Sequence, residues 1–376
     1  MMREKKIAAS LLCGVTAASL LAGCGEVDKS AVVATFDDTE VSLGVANFAA
    51  RLQQASYDDF YAAYFGNSVW DSDLYGDGTT MEDEVKSGVL DSLFESYTLQ
   101  AHAGEYGIEI TDDEKAAITA AASEFIAGND EKALAAMGAD QAIVEEYLTL
   151  MTIQGRMYDA VIAEADTAVS DEEANTSAYS YVRVSKTSYT DEDGDAAEYT
   201  EDELKELAET VKAFGAEAKE KGLESAAEDY AYTVSSDTFT ADDTLIDENV
   251  LAALKDCAEG AVTDVIETDG FYYVARLDAK TDAGATENKR QELIEERQSE
   301  YYDGVVEKWK AEHTWTVDEK VWERVSFDNL FTTVEQSTEM LDGTELLDAA
   351  GDEVVIDELD VTEDGVVIDE LDVTEE

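Results

Sequence analysis

The chain has 376 residues, 45% of them hydrophobic, enough for two or three domains with a sizeable core. Its 25 Lys and Arg stand against 89 Asp and Glu, a formal charge of −64. Such a field repels nucleic acid and anionic lipid headgroups and excludes nucleic-acid binding.

The first 24 residues read as an export leader. Arg3, Lys5 and Lys6 make a basic start, and the apolar run from Ile7 to Leu21 is too short for an ordinary spanning helix. The run closes on Leu21-Ala22-Gly23-Cys24, which resembles the bacterial lipoprotein box. That resemblance implies a signal peptide over residues 1–23 and a lipid on Cys24, the mature N-terminus. The protein is then expected at the cell membrane, lipid-anchored on its extracytoplasmic face. The alternative is a plain secretory signal ending in a chance Cys. Loss of the leader leaves 22 basic against 88 acidic residues, a formal charge of −66. Cys13 leaves with it, so Cys257 has no intrachain disulfide partner beyond the lipid-bearing Cys24. There is no proline, so the chain's own folding has no slow prolyl step.

Val32 to Phe36 reads as a strand, with a turn at Asp37-Asp38. Apolar residues at Val45, Phe48, Ala49 and Leu52 predict an amphipathic helix from Ser42 to Phe65, stopped at Gly66. A second helix runs from near Thr80 to about Gly107, with Val85, Val89, Leu93, Tyr97 and Ala101 on one face. Thr111 with Glu114 predicts a capping box opening a third helix, which closes at Gly128. A further helix runs from Gln141 to the Val161 region. Residues 24–176 are thus expected to be one mostly helical domain.

Composition then shifts. Tyr179 to Val184 alternates like a strand, and an acidic loop follows at residues 191–195. Thr200 and Glu203 predict another capping box and a helix to about Lys221; a shorter helix, Leu223 to Ala231, comes after Gly222. Asn249 to Cys257 reads as a helix and Gly270 to Leu277 as a strong strand, so residues 177–282 form a compact α+β unit. Glu287 to Ala311 is again helical, and Thr314 to Phe327 alternates like a strand. Residues 341–376 hold 15 acids, and Val354 to Glu363 recurs as Val366 to Glu375. Residues 328–376 are therefore expected to be a self-repelling, disordered tail.

The segment Leu254 to Thr263, followed by Val265 to Tyr272, resembles the ending of parvulin-type peptidyl-prolyl isomerases. There a Leu-containing helix, a Gly-Glu-Val-Ser-like turn and a Gly-Tyr-His strand close the sheet. With the order of elements, residues 31–327 resemble the extracytoplasmic foldases of the PrsA and SurA type. The resemblance implies an α+β chain in which a mostly helical, split chaperone domain holds an inserted parvulin-like domain. Residues 283–327 then return to complete the helical part. Departures matter as much. The first family His falls on Ser180 and the second on Tyr272, while the acidic pocket position survives as Asp237. The chain's histidines, His102 and His313, both lie outside the unit.

Prolyl isomerisation needs no covalent step. A pocket lowers a barrier of roughly 18–20 kcal/mol by desolvation and oriented hydrogen bonds. Ser180, Asp237 and Tyr272 are the polar remnants that a working pocket would use; without histidines, a non-catalytic domain is the expectation. Tyr57, Tyr61, Tyr64 and Trp70 are candidates for binding peptide, against the plainer role of packing a core. Asp71, Asp73, Gly76, Asp77 and Glu82 come near a calcium loop, a pattern that chance supplies readily among 89 acids. His102 and His313 read as structural, with no partner at ligand spacing, and neither a metal nor a cofactor is expected.

The resemblance implies a chaperone that binds unfolded exported polypeptides and meets the membrane only through its lipid. The rivals are an active peptidyl-prolyl isomerase and a surface lipoprotein that holds one specific protein partner.

Overall fold

The structure, a computed structural model, describes residues 15–16, 28–65, 69–74, 76–190, 196–327 and 331–333. The rest of the leader, the lipid site at Cys24, the acidic loop and the tail from residue 334 lie outside them. Within this set β1 (Val15–Thr16) pairs with β11 (Thr332–Thr333).

The helical part opens on a hairpin of β2 (Val32–Phe36) and β3 (Thr39–Ser42), turned at Asp37 with φ +49°. Four helices follow as expected in place and type. They are α1 (Leu43–Phe65), α2 (Met81–His102), α3 (Asp112–Gly128) and, after a short α4 (Glu131–Met137), α5 (Gln141–Ile162). Thr111 and Glu114 make both bonds of the capping box that opens α3. A 3-10 turn over Ala103–Tyr106 and Gly107 at φ +65° end the α2 segment. Phe48, Leu93, Phe125, Met137 and Leu148 fill the core between these helices.

After the short α6 (Asp171–Ala174) comes a four-stranded antiparallel sheet. Its chain order is β4 (Ser177–Ser185), the small hairpin β5 (Ser188–Thr190) and β6 (Ala196–Glu198), α7 (Glu201–Lys221) and α8 (Leu223–Tyr230). Then come β7 (Ser235–Phe239), α9 (Glu248–Asp256), β8 (Ile266–Glu267) and β9 (Phe271–Ala279). The spatial order β7-β4-β9-β8 puts the first and last long strands side by side at the centre. Entry and exit are tied together: Asp282 N donates to Thr176 O at 2.8 Å, and Asn175 Nδ2 to Lys280 O at 3.1 Å.

The chain then re-enters the helical part through α10 (Ala283–Lys310), which buries Tyr302, Val306 and Trp309 against Leu99, Met157 and Val161. β10 (Trp315–Val317) pairs with β2, so the first strand of this sheet is flanked by β3 and by a strand from about 280 residues later. The expected strand over Thr314 to Phe327 is corrected here. It ends at Val317, because Asp318 accepts from Lys320 N and Val321 N and so starts α11 (Glu319–Trp322). Trp322 and Phe327 reach the core as a helical turn and an irregular segment. The chain is α+β, a mostly helical domain split around a sheet-bearing insert.

Candidate functional site

Side chains alternate across the central sheet, so its two faces are chemically different. Ser180, Val182 and Val184 on β4 share one face with Tyr272, Val274 and Arg276 on β9. That face packs on α7 and α8 through Phe214, Val211 and Leu223. Tyr179 and Tyr181 share the other with Tyr273, Leu277 and Phe239, beneath Val250 and Leu254 of α9.

The three residues expected in a prolyl-isomerase pocket do not converge. Ser180 is 4% exposed, and its hydroxyl donates to Asp278 Oδ2 at 2.6 Å while lying 3.0 Å from Ser236 Oγ. Asp278 also takes Arg276 Nε at 2.5 Å, and Arg276 reaches Glu224 at 2.6 Å. Ser180 thus belongs to a closed network that holds α8 to the sheet. Tyr272 is buried in the α7 core at the far end of the same face, opposite Val184, with Lys186 Nζ 5.2 Å from its ring centre. Asp237 pairs with Tyr179 and so lies on the opposite face, exposed, accepting from its neighbour Thr238 N at 2.8 Å.

What the sheet does assemble is an aromatic row on the α9 face. Phe239 meets Tyr179 edge-on at 5.7 Å, Tyr179 stacks on Tyr181 at 5.3 Å, and Tyr181 lies 5.9 Å from Tyr273. Phe271 continues it at 6.1 Å, with the Arg183 guanidinium 4.7 Å over its ring. Tyr179 and Phe239 are buried, whereas Tyr181, Tyr273 and Phe271 are half-buried and Arg183 is exposed. Burial, with the charge of Asp237 next in weight, pushes the Tyr179 phenol above its ordinary range and keeps it neutral. A cleft of about 370 Å³ between Phe239, Leu254 and Leu277 adjoins the row, with Lys255 and Lys280 at its rim. Aromatic faces, one guanidinium and polar edges hold extended apolar segments of varied sequence. The row was legible as aromatic residues at positions 179 and 181 and again at 271 and 273, a spacing of two that marks one face of a strand.

In the helical part, Trp70 is corrected from a peptide-binding candidate to a core residue. It is 3% exposed, its Nε1 donates to Asp58 Oδ1 at 2.8 Å, and its ring packs edge-on to Phe327 at 4.7 Å. Tyr57 is half-buried, 6.3 Å from Trp70 and against the same core. The side chains of Tyr61 and Tyr64 lie outside the described residues. In the calcium-like loop, Asp73 accepts from the backbone N of Gly76, Asp77 and Gly78, and Glu82 from Phe327 N at 2.9 Å. These carboxylates already serve the loop backbone and the returning segment. Among the described residues no group of three or more His, Cys, Asp or Glu could hold a metal ion, and no helix is long and apolar enough to cross a membrane.

Residues 185–288 match the family described as the PPIC-type PPIASE domain, and the chain therefore contains a parvulin-type domain. Among solved structures, the chain is similar to the foldase protein PrsA of Lactococcus lactis, at 16% identity and a TM-score of 0.33. That match covers 79% of this chain and 100% of the other. PrsA of Streptococcus pneumoniae matches at 18% identity and a TM-score of 0.28, over 69% of this chain and 99% of its own. A structure from Campylobacter jejuni, described with PEB4 and Cj1289 as SurA-like chaperones, matches at 10% identity and a TM-score of 0.27, over 77% and 99%. No curated protein matches the chain.

Proposed function

We propose that this protein is a foldase-type chaperone, lipid-anchored through Cys24 at the extracytoplasmic face of the membrane, that holds unfolded exported polypeptides. In this reading the boundaries are a leader over 1–23, a helical part over 24–176 and 283–327, a parvulin-like domain over 177–282 and a tail over 328–376. The observation that carries it is the half-buried aromatic row of Tyr181, Tyr273 and Phe271, continued by the buried Tyr179, on the α9 face of the sheet. Such a surface binds apolar chain segments without transforming them.

The test runs two assays side by side on the mature, unlipidated body. Suppression of aggregation of several unrelated reduced proteins is expected, with cis/trans exchange of an X-Pro peptide at the background rate. Replacing both Tyr181 and Tyr273 by Ser should weaken suppression severalfold, whereas Tyr→Phe at both should keep it. Proline-dependent acceleration well above background would instead establish the isomerase. Saturable binding to a single protein, with no effect on unrelated clients, would establish the dedicated-partner reading. For the anchor, Cys24→Ser should release the protein from the membrane fraction; retention would remove the lipid from the proposal.

A further inference from the structure

The chain has two histidines, and the fold brings them together. His102 ends α2, and His313 lies between α10 and β10, yet their Nε2 atoms stand 3.2 Å apart. Each Nδ1 faces a carboxylate: Glu105 Oε1 is 2.9 Å from that of His102, and Asp37 Oδ2 is 2.7 Å from that of His313. Asp37 is itself fixed, its Oδ1 accepting from Thr314 N and its own N–H donating to Thr314 O, both at 2.8 Å. The rings are clamped as well. Trp309 stacks on His102 at 4.5 Å and 11°, and Phe36 lies 4.6 Å from the His313 ring centre.

A carboxylate on Nδ1 makes that nitrogen the N–H donor and leaves Nε2 with the lone pair. Two imidazoles oriented in this way turn lone pairs toward one another, and only a positive centre reconciles them. A shared proton is one such centre; a metal ion is the other.

We propose that His102 and His313 form a two-imidazole site for a divalent late transition-metal cation of the Zn2+, Ni2+ or Cu2+ class. A tetrahedral ion with Zn–N bonds of about 2.0–2.1 Å sets two of its nitrogens about 3.3 Å apart. The observed separation of 3.2 Å matches that bite. Carboxylates on both Nδ1 atoms are the outer partners that orient metal-bound histidines and raise their basicity. Imidazole favours these ions over the hard cations Mg2+ and Ca2+. With no larger ligand group among the described residues, the two rings supply the protein's share and water completes the shell. The side chains of His313 and Asp37 keep 18% and 46% exposure, which leaves room for that water. Each Nε2 lone pair forms one N–M bond, and two waters leave the hydrated ion to make room for the two nitrogens. The ion would join the end of α2, the β2–β3 turn and the returning segment.

Zinc is titrated calorimetrically into the full chain at pH 7.5, with Mg2+ and Ca2+ measuring the weak carboxylate background. One site above that background is expected. Saturating Zn2+ should raise Tm by about 2–5 °C, and His102→Gln and His313→Gln should each abolish the rise. Because both rings also pack against aromatic neighbours, Cu2+ EPR on the wild-type protein reads the site without a substitution. With two histidines in the chain, coupling to two imidazole nitrogens identifies both ligands. Zinc bound no more tightly than magnesium, or an EPR spectrum without that coupling, would overturn the site.

Discussion

Lys86 on α2 donates to the carbonyl oxygen of Val325, 239 residues later, at 2.6 Å. Its ammonium is otherwise held by Glu82 at 3.3 Å and lies 5.7 Å from the Trp322 ring centre. The side chain is 11% exposed, so water cannot replace these partners. Lys86→Met leaves the Val325 carbonyl without its donor and Glu82 without its cation, at a cost of about 1–3 kcal/mol. A lower urea midpoint with an unchanged far-UV spectrum is expected; an unchanged midpoint would show that the bond contributes nothing.

Gly215 sits inside α7 where the helix crosses the sheet. A Cβ there would stand 2.9 Å from Val265 Cγ2 and 3.5 Å from Val274 Cγ2. Gly215→Val should overpack this contact and destabilise the inserted domain by about 1–3 kcal/mol. Domain-resolved hydrogen exchange should locate the loss in α7 and β9, with α3 and α5 protected as before. Equal loss of protection in all four would refute the local account.

Glu173 gives a pH signature. Hydrogen bonds from the Ser170 hydroxyl and backbone N–H, with Arg297 at 2.5 Å, lower its pKa from 4.5 to about 2. A carboxylate whose folded pKa is depressed contributes stability that is fully present above its unfolded pKa. That contribution fades as pH falls from about 4.5 toward 2. Glu173→Gln should therefore flatten the acid limb of the stability curve in that window. Parallel wild-type and variant curves would count against this assignment.

Trp70→Phe keeps an aromatic ring of smaller size but removes the donor to a buried Asp58, whose other oxygen accepts from Phe331 N at 2.8 Å. A loss of about 1–3 kcal/mol is expected. Well below the lowered Tm, suppression of client aggregation should be unaltered. Weaker suppression under those conditions would return Trp70 to the client-binding surface.

Features stated by neighbouring residues were legible. The capping boxes at Thr111–Glu114 and Thr200–Glu203 need only four residues each, and both form with both bonds. β7 was not legible, because Ser235-Ser236-Asp237-Thr238 has no apolar alternation and becomes a strand only by pairing with β4. Asp318 hid in an alternating run, and its cap turned the expected strand into a helix. The pocket failed by parity: Ser180 and Tyr272 each neighbour a tyrosine of the aromatic row, and one step along a strand moves a side chain to the other face. The histidine pair spans 211 positions, a separation that no local pattern encodes.

The place of β2 between β3 and β10 also fixes an order of events. A chain delivered N-terminus first presents β2 and its helices long before residues 315–317 exist to pair with them. For that interval the hairpin keeps an open edge, and the core lacks Trp322 and Phe327. The insert, by contrast, has both central strands as soon as β9 emerges. It is therefore expected to complete first, and the surrounding part matures around an already folded passenger. A protein of this build spends that interval with a finished insert mounted on an unfinished frame.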